Sequence, residues 1–287
     1  MMAFHMSVLA AFPLKAESAC QFFPAGSLSF TAWLSNSILV SILVTGSVLL
    51  FACRSTARLH MIPGGMQNFF EMIVETTLNL IEGIIGKRMA QKAFGLLASL
   101  FLFILCSNWF GLLPGVGTIG WGPEAGFLTV REVEIPLLRP TTADLNMTLG
   151  LAVVAMYFWL LWTVQEVGFF GLVKALFEVK GGVKGMLFFI LIPIFLFVGV
   201  LEVISILVRP VSLSLRLYGN VYAGEVLMHT MTDLGSSLGL SRWASALMSV
   251  VVPIPFYFLE LLIGLLQAIV FMLLVAVYIQ LSTVHSE

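Results

Sequence analysis

Long apolar runs, separated by short polar stretches, dominate the chain. The first covers residues 28–53, from Leu28 to Cys53, and ends at Arg54 and Arg58. A second covers about 94–113 and stops at Pro114 and a glycine-rich stretch, and a third covers about 147–164. Each is close to the roughly 20 residues that carry a helix across a hydrocarbon core. No run alternates apolar and polar residues as barrel strands do, and lipid satisfies no backbone polar group, so the pattern predicts helices.

Residues 63–92 differ. After Pro63, Gly64 and Gly65, the apolar Phe69, Phe70, Ile73, Leu80, Ile81, Ile84 and Ile85 are interleaved with Glu71, Glu75, Asn79 and Glu82. This is the pattern of an amphipathic helix at the membrane interface, expected over about 63–88.

The C-terminal half does not divide into 20-residue units. An apolar run reaches from Met186 to Met231, with its helix expected over about 188–231, and a second covers 244–281 beyond a polar loop at 232–241. As continuous helices they would be roughly 65 Å and 57 Å long, about twice the thickness of the hydrocarbon core. Pro210 would kink the first, and Pro253 and Pro255 stand near the start of the second. The expected fold is an all-α polytopic membrane protein. It has about five membrane helices and one amphipathic interfacial helix, and the last two membrane helices form a long oblique hairpin. Residues 28–283 make one membrane domain. Residues 1–27 are an extracytoplasmic segment, and within it Met1–Cys20 has the small residues and short apolar stretch of a weak secretion signal.

Composition supports the membrane reading. Of 287 residues, 60% are hydrophobic and 10% charged, whereas soluble domains are roughly 45–50% apolar and about 25% charged. A net charge of −1 offers no basic field for nucleic acid. Cys20, Cys53 and Cys106 are scattered, and His5, His60, His229 and His285 do not cluster, so no metal site or cofactor is expected. Lysines and arginines orient the chain. With the end of the first span inside, eight face the cytoplasm (Arg54, Arg58, Lys87, Arg88, Lys92, Lys174, Lys180, Lys184) and four face out (Lys15, Arg131, Arg139, Arg242). This places the N-terminus outside and the C-terminus in the cytoplasm.

Five charges are left inside the last two apolar runs: Glu202, Arg209, Arg216, Glu225 and Glu260. Each costs at least ~2.5–3.5 kcal/mol at mid-bilayer if it faces lipid. Glu202, Arg209 and Arg216 are seven apart and share a helix face, with Asn220 close to it, while Glu225 lies about 180° around from Arg216. Glu260 and Gln267 are again seven apart. Such groups can pair to pin helices together, and Glu202 with Arg209 fits that role well. Ser205, Ser212 and Ser214 can hydrate a cavity or bond back to the helix. Arg216 has no acid three or four residues away and keeps its proton even when buried. It calls for an acidic partner on another chain or acts as a permanent positive barrier. Glu225 and Glu260, on facing helices, can share a proton.

The run RPVSLSLRLYGNVYAGE at 209–225 and the run GLLQAIVFMLLVAVYIQL at 264–281 resemble subunit a of the bacterial-type rotary F-type ATP synthase. So do PTTADLNMTLGLA at 140–152 and PGGMQNFFE at 63–71, and the resemblance spans about 28–283. It implies a non-catalytic stator subunit in the bacterial plasma membrane. Its partners would be the lipid bilayer, a ring of proteolipid c subunits, the peripheral-stalk b subunits and, indirectly, the catalytic head. Arg216 stands at the family's essential arginine and would face the ring carboxylate. Glu225, Glu260, Gln267 and Asn220 match its proton-translocation positions, with Glu260 standing where some members have histidine. Glu202 and Arg209 match the inner half-channel. Asp144, Asn146 and His229 are candidates for the entrance, although Asp144 also suits a helix N-cap. The ion expected is the proton. No GxxxxGK[ST] loop is present, so ATP chemistry belongs to other subunits. A self-contained transporter or channel is the alternative, but the halves show no inverted repeat.

Overall fold

The computed structural model describes residues 36–57, 60–61, 64–113, 116, 120–121, 135–136, 138–168, 171, 186–239 and 241–283. The segment before Asn36, and with it the expected N-terminal signal, lies outside the described residues. Among the described residues, five helices are long and apolar enough to cross a membrane. Helix α1 is Asn36–Thr56, α2 is Gly65–Gly111, α3 is Leu145–Val167, α4 is Met186–Thr232, and the short α5 (Leu234–Ser237) and α6 (Arg242–Val251) lead into α7, Pro253–Thr283. Strands β1 (Gly120–Trp121) and β2 (Ile135–Pro136) pair antiparallel between α2 and α3.

The amphipathic stretch and the second apolar run are joined in α2, and the break between them falls at Gly86 (φ 73°, ψ 161°). That conformation is open to glycine and strained for any side chain. The amphipathic part thus ends two residues before the position expected from periodicity. Just beyond it, Arg88 and Lys92 both reach Glu166 on α3, at 3.4 and 2.5 Å.

Helix α4 runs 47 residues through both Pro193 and Pro210, so the long apolar run does not reverse. The polar stretch expected as a loop after it contains α5. The final run is interrupted at Val252, directly before Pro253, whose ring nitrogen cannot continue the helical ladder. The two long helices form a bent hairpin.

In lipid there is no hydrophobic drive between helices, so close packing and interhelical hydrogen bonds hold the bundle. The buried stripe of α2 is Ala90, Ala93, Leu97, Leu100 and Ile104, at steps of three and four. Ala152 and Ala155 of α3 and Ala268 and Ala276 of α7 are also fully buried, and small residues of this kind let backbones approach. Trp159 donates to the Tyr278 carbonyl (2.7 Å) and Thr163 to Ser282 (2.9 Å), tying α3 to α7. Trp109 and Asn108 donate to the Leu261 and Gly264 carbonyls (3.2 and 3.3 Å), tying α2 to α7. A 3-10 turn, Thr141–Ala143, sits buried among α1, α2, α3 and α4, with Pro140 against Gly111, where a Cβ would come within 2.8 Å of the proline ring.

Helix α4 is packed on one side only. Leu213, Ser214, Leu217 and Tyr218 are buried, while Ile204, Leu207, Val208, Val211 and Leu215 are exposed. Of its membrane window 11% is buried, against 44% for the last helix, so α4 presents an apolar wall that no other part of the described chain covers.

Candidate ion-translocation site

Arg216 lies on the uncovered side of α4. It is exposed, with Ser212 one turn before it also exposed, and it makes no ion pair or hydrogen bond among the described residues. The position follows from the helix: buried Leu213, Ser214, Leu217 and Tyr218 take the face against α3 and α7, and residues 208, 211, 212, 215 and 216 take the other. Ser214 meets Thr148 of α3 through a buried hydroxyl contact of 3.1 Å.

Arg209 has different surroundings. Its guanidinium pairs with Glu202 (3.5 Å) and lies 5.6 Å from the centre of the Trp159 ring and 4.9 Å from that of Tyr278. An acid on one side and two aromatic faces on the other satisfy this cation within the chain. The regular seven-residue spacing therefore joins a held arginine and an unheld one.

On the packed side of the hairpin, Asn220 donates to the Gln267 carbonyl oxygen at 2.6 Å, joining α4 to α7. The Gln267 amide nitrogen is buried and has no partner, and the same holds for the Asn108 side-chain oxygen. The first is a spare donor and the second a spare acceptor, and a water molecule could satisfy either. Glu260 is 9% exposed, and its carboxylate is packed directly against Gly224. The neighbouring Glu225 pairs with Arg139 at 3.5 Å. Arg139 precedes the 3-10 turn and is itself buried, so a residue read from the sequence as an outward loop charge reaches into the hairpin. Its approach to PTTAD was visible in the sequence, but its contact 86 residues away was not.

Asp144 caps α3, accepting from the Asn146 amide at 3.0 Å. Asp144 is buried within the same connection as Arg139. His229 lies 3.8 Å from Asp233, and both are exposed near the end of α4. Trp159, Tyr278, Thr148 and Gly224 also belong to the neighbourhood, and nothing in their apolar surroundings sets them apart in sequence. The described residues thus collect along a single hairpin the exposed Arg216, the Arg209–Glu202 pair, the carboxylates Glu225 and Glu260 and an amide pair, and contain no cluster suited to a metal ion.

Residues 34–280 match the family described as ATP synthase A chain. The chain belongs to this family. It is 31% identical over 252 residues to ATP synthase subunit a of Protochlamydia amoebophila, covering 88% of this chain and 81% of that one. It is 30% identical over 260 residues to ATP synthase subunit a of a Geobacter species, covering 91% and 93%. It is also 31% identical over 255 residues to the sodium ion specific ATP synthase subunit a of Propionigenium modestum, covering 87% and 76%. As an ATP synthase A chain it is a multi-pass membrane protein. It is an ion-translocating stator subunit, not the catalytic one, and it works in a complex with other ATP synthase subunits.

Proposed function

We propose that the exposed wall of α4 lies against a rotating ring of proteolipid c subunits and that Arg216 faces the ring carboxylate. The observation that carries this reading is the position of Arg216: a permanent cation without a described partner, on an apolar face that none of the described residues covers. A lipid-facing arginine is costly, and a carboxylate on a neighbouring chain offsets that cost. Arg216 displaces the ion from each arriving carboxylate and blocks direct leakage between two half-channels. One half-channel runs along Asn220, Glu225, Glu260 and Gln267, with its entrance near Asp144, Asn146 and His229. The other runs past Glu202 and Arg209. Between the two, the ring carboxylate travels through lipid with its charge neutralised, because a bare carboxylate there is strongly disfavoured. The membrane potential supplies about 2.3 kcal/mol per charge per 100 mV.

The peripheral-stalk b subunits hold the chain against the ring's torque. The membrane is the bacterial plasma membrane, with the N-terminus outside and the C-terminus in the cytoplasm, as the eight-to-four bias of lysine and arginine supports. The ion is the proton. In the intact complex, Arg216→Ala abolishes ATP-driven pumping into inverted vesicles while the subunits still copurify. Normal coupled pumping in that variant overturns the assignment. Pumping that needs sodium and survives a protonophore reassigns the ion.

A further inference from the structure

The junction between α1 and α2 holds a pocket of about 360 Å³ away from the hairpin, lined by Arg54, Ser55, His60, Gly64, Gly65 and Gln67 among others. Its chemistry is one-sided. Arg54 is exposed and makes no ion pair among the described residues. His60 presents a ring N–H donor whatever its protonation state. The pocket also contains the start of α2, where Gly64 supplies no side-chain cap and the first backbone N–H groups remain available.

Ser55 supplies an independent sign. Ser47 and Thr56 of the same helix each donate to the carbonyl four residues earlier, at 2.8 Å. The Ser55 hydroxyl does not: Ser55 lines the pocket and is 4% exposed, and its hydroxyl oxygen is buried without a partner. A buried hydroxyl left unpaired beside free cationic and amide donors marks the seat of an acceptor. The seat is also held in shape. Gln67 bonds both the amide and the carbonyl of His60, at 3.2 Å each, and donates a further bond to Glu71 at 2.8 Å. Glu71 is the one acid in this network. It lies a turn along α2, does not line the pocket, and is engaged by Gln67.

We propose that this pocket binds a phosphate-type oxyanion, with Arg54, the Ser55 hydroxyl, His60 and the N-terminus of α2 as its donors. The pocket lies where α1 ends after an apolar span, at the level of lipid headgroups, and basic pockets between membrane helices take such groups. The same chemistry accepts free phosphate, so the test separates the two sources.

The intact complex is reconstituted with a photo-crosslinkable phosphatidylglycerol or the matching phosphatidylcholine, and labelling is mapped to the peptide covering residues 54–67. Phosphatidylglycerol should label this peptide. Labelling should fall about tenfold in Arg54→Gln, the scale of one lost charge-assisted bond. It should also fall in Ser55→Ala and stay unchanged in Lys87→Gln, which removes a positive charge far along α2, outside the pocket. Ser55→Ala deletes one hydroxyl and keeps the test decisive if Arg54→Gln fails to assemble. Labelling that persists in millimolar inorganic phosphate assigns the site to lipid, and labelling that phosphate suppresses assigns it to the free anion. Labelling by either lipid that is indifferent to both pocket variants overturns the proposal.

Discussion

The carboxylate of Glu260 fills the space in which a side chain at position 224 would begin, so Gly224 and Glu260 are complementary across the hairpin. The two residues stand 36 apart in sequence, on α4 and α7, and each limits what the other position can hold. One step from this contact, Glu225 turns to Arg139.

Gly224→Ala should therefore force Glu260 to move, at a cost of about 1–3 kcal/mol of packing energy, and should slow ATP-driven pumping. Adding Glu260→Ala should relieve the clash, so that the pair costs less than the sum of the two changes. Thermal unfolding and pumping of the three variants check this. Strict additivity would mean that position 224 has room that the geometry denies.

Arg139 and Glu225 should behave as a unit. Glu225→Gln alone and Arg139→Gln alone should each reduce pumping, and the double variant should be no worse than the more severe single one. The expected coupling is about 0.5–3 kcal/mol in a double-mutant cycle. Independent, multiplicative effects would show that the 3.5 Å pair does not matter to the path.

The arginine held between rings should be more sensitive to shape than to charge. Arg209→Lys keeps the charge but loses the flat stacking surface, and a cation–π contact is worth about 0.5–2 kcal/mol. Arg209→Lys and Trp159→Leu should both lower the thermal stability of the complex, with Trp159→Leu also losing the bond to Tyr278. Trp159→Phe should fall between Trp159→Leu and the unaltered chain. Equal stability for Arg209→Lys and the unaltered chain would refute the clamp.

Much of this architecture could be read in advance. Spans announce themselves because lipid demands about 20 apolar residues, and the charges left inside them are few enough to name. What stayed hidden is contact at long range. Periodicity puts Arg209 and Arg216 on one helix face, but it does not say that Trp159 and Tyr278 wait beside only the first of them. Arg139 reads as a loop charge because its partner is 86 residues distant. Glu225 and Glu260 face each other in principle, yet Glu225 takes the arginine and Glu260 settles against a glycine. The break at Gly86 was missed for another reason: glycine is common in membrane helices, and only the backbone angles set this one apart.

Gly86→Ala should strain a backbone position of positive φ and extended ψ, open essentially to glycine alone, by about 1–3 kcal/mol. The φ of 73° is the cause, since open space surrounds the site and a methyl group would meet nothing within 4 Å. The variant should lose stability in proportion, or straighten α2 and loosen the Arg88 and Lys92 contacts with Glu166. Hydrogen exchange across 80–95 detects the second outcome. No change in either readout would show that another residue tolerates the bend.

The uncovered wall of α4 also bears on how the chain is made in the cell. On the proposed placement, a copy without its ring would hold a bare guanidinium toward hydrocarbon, a standing penalty of at least ~2.5–3.5 kcal/mol. The residue proposed to drive turnover thereby makes solitary existence unfavourable. An orphan copy would thus carry its own penalty in Arg216, and the fold would favour synthesis matched to that of its partners.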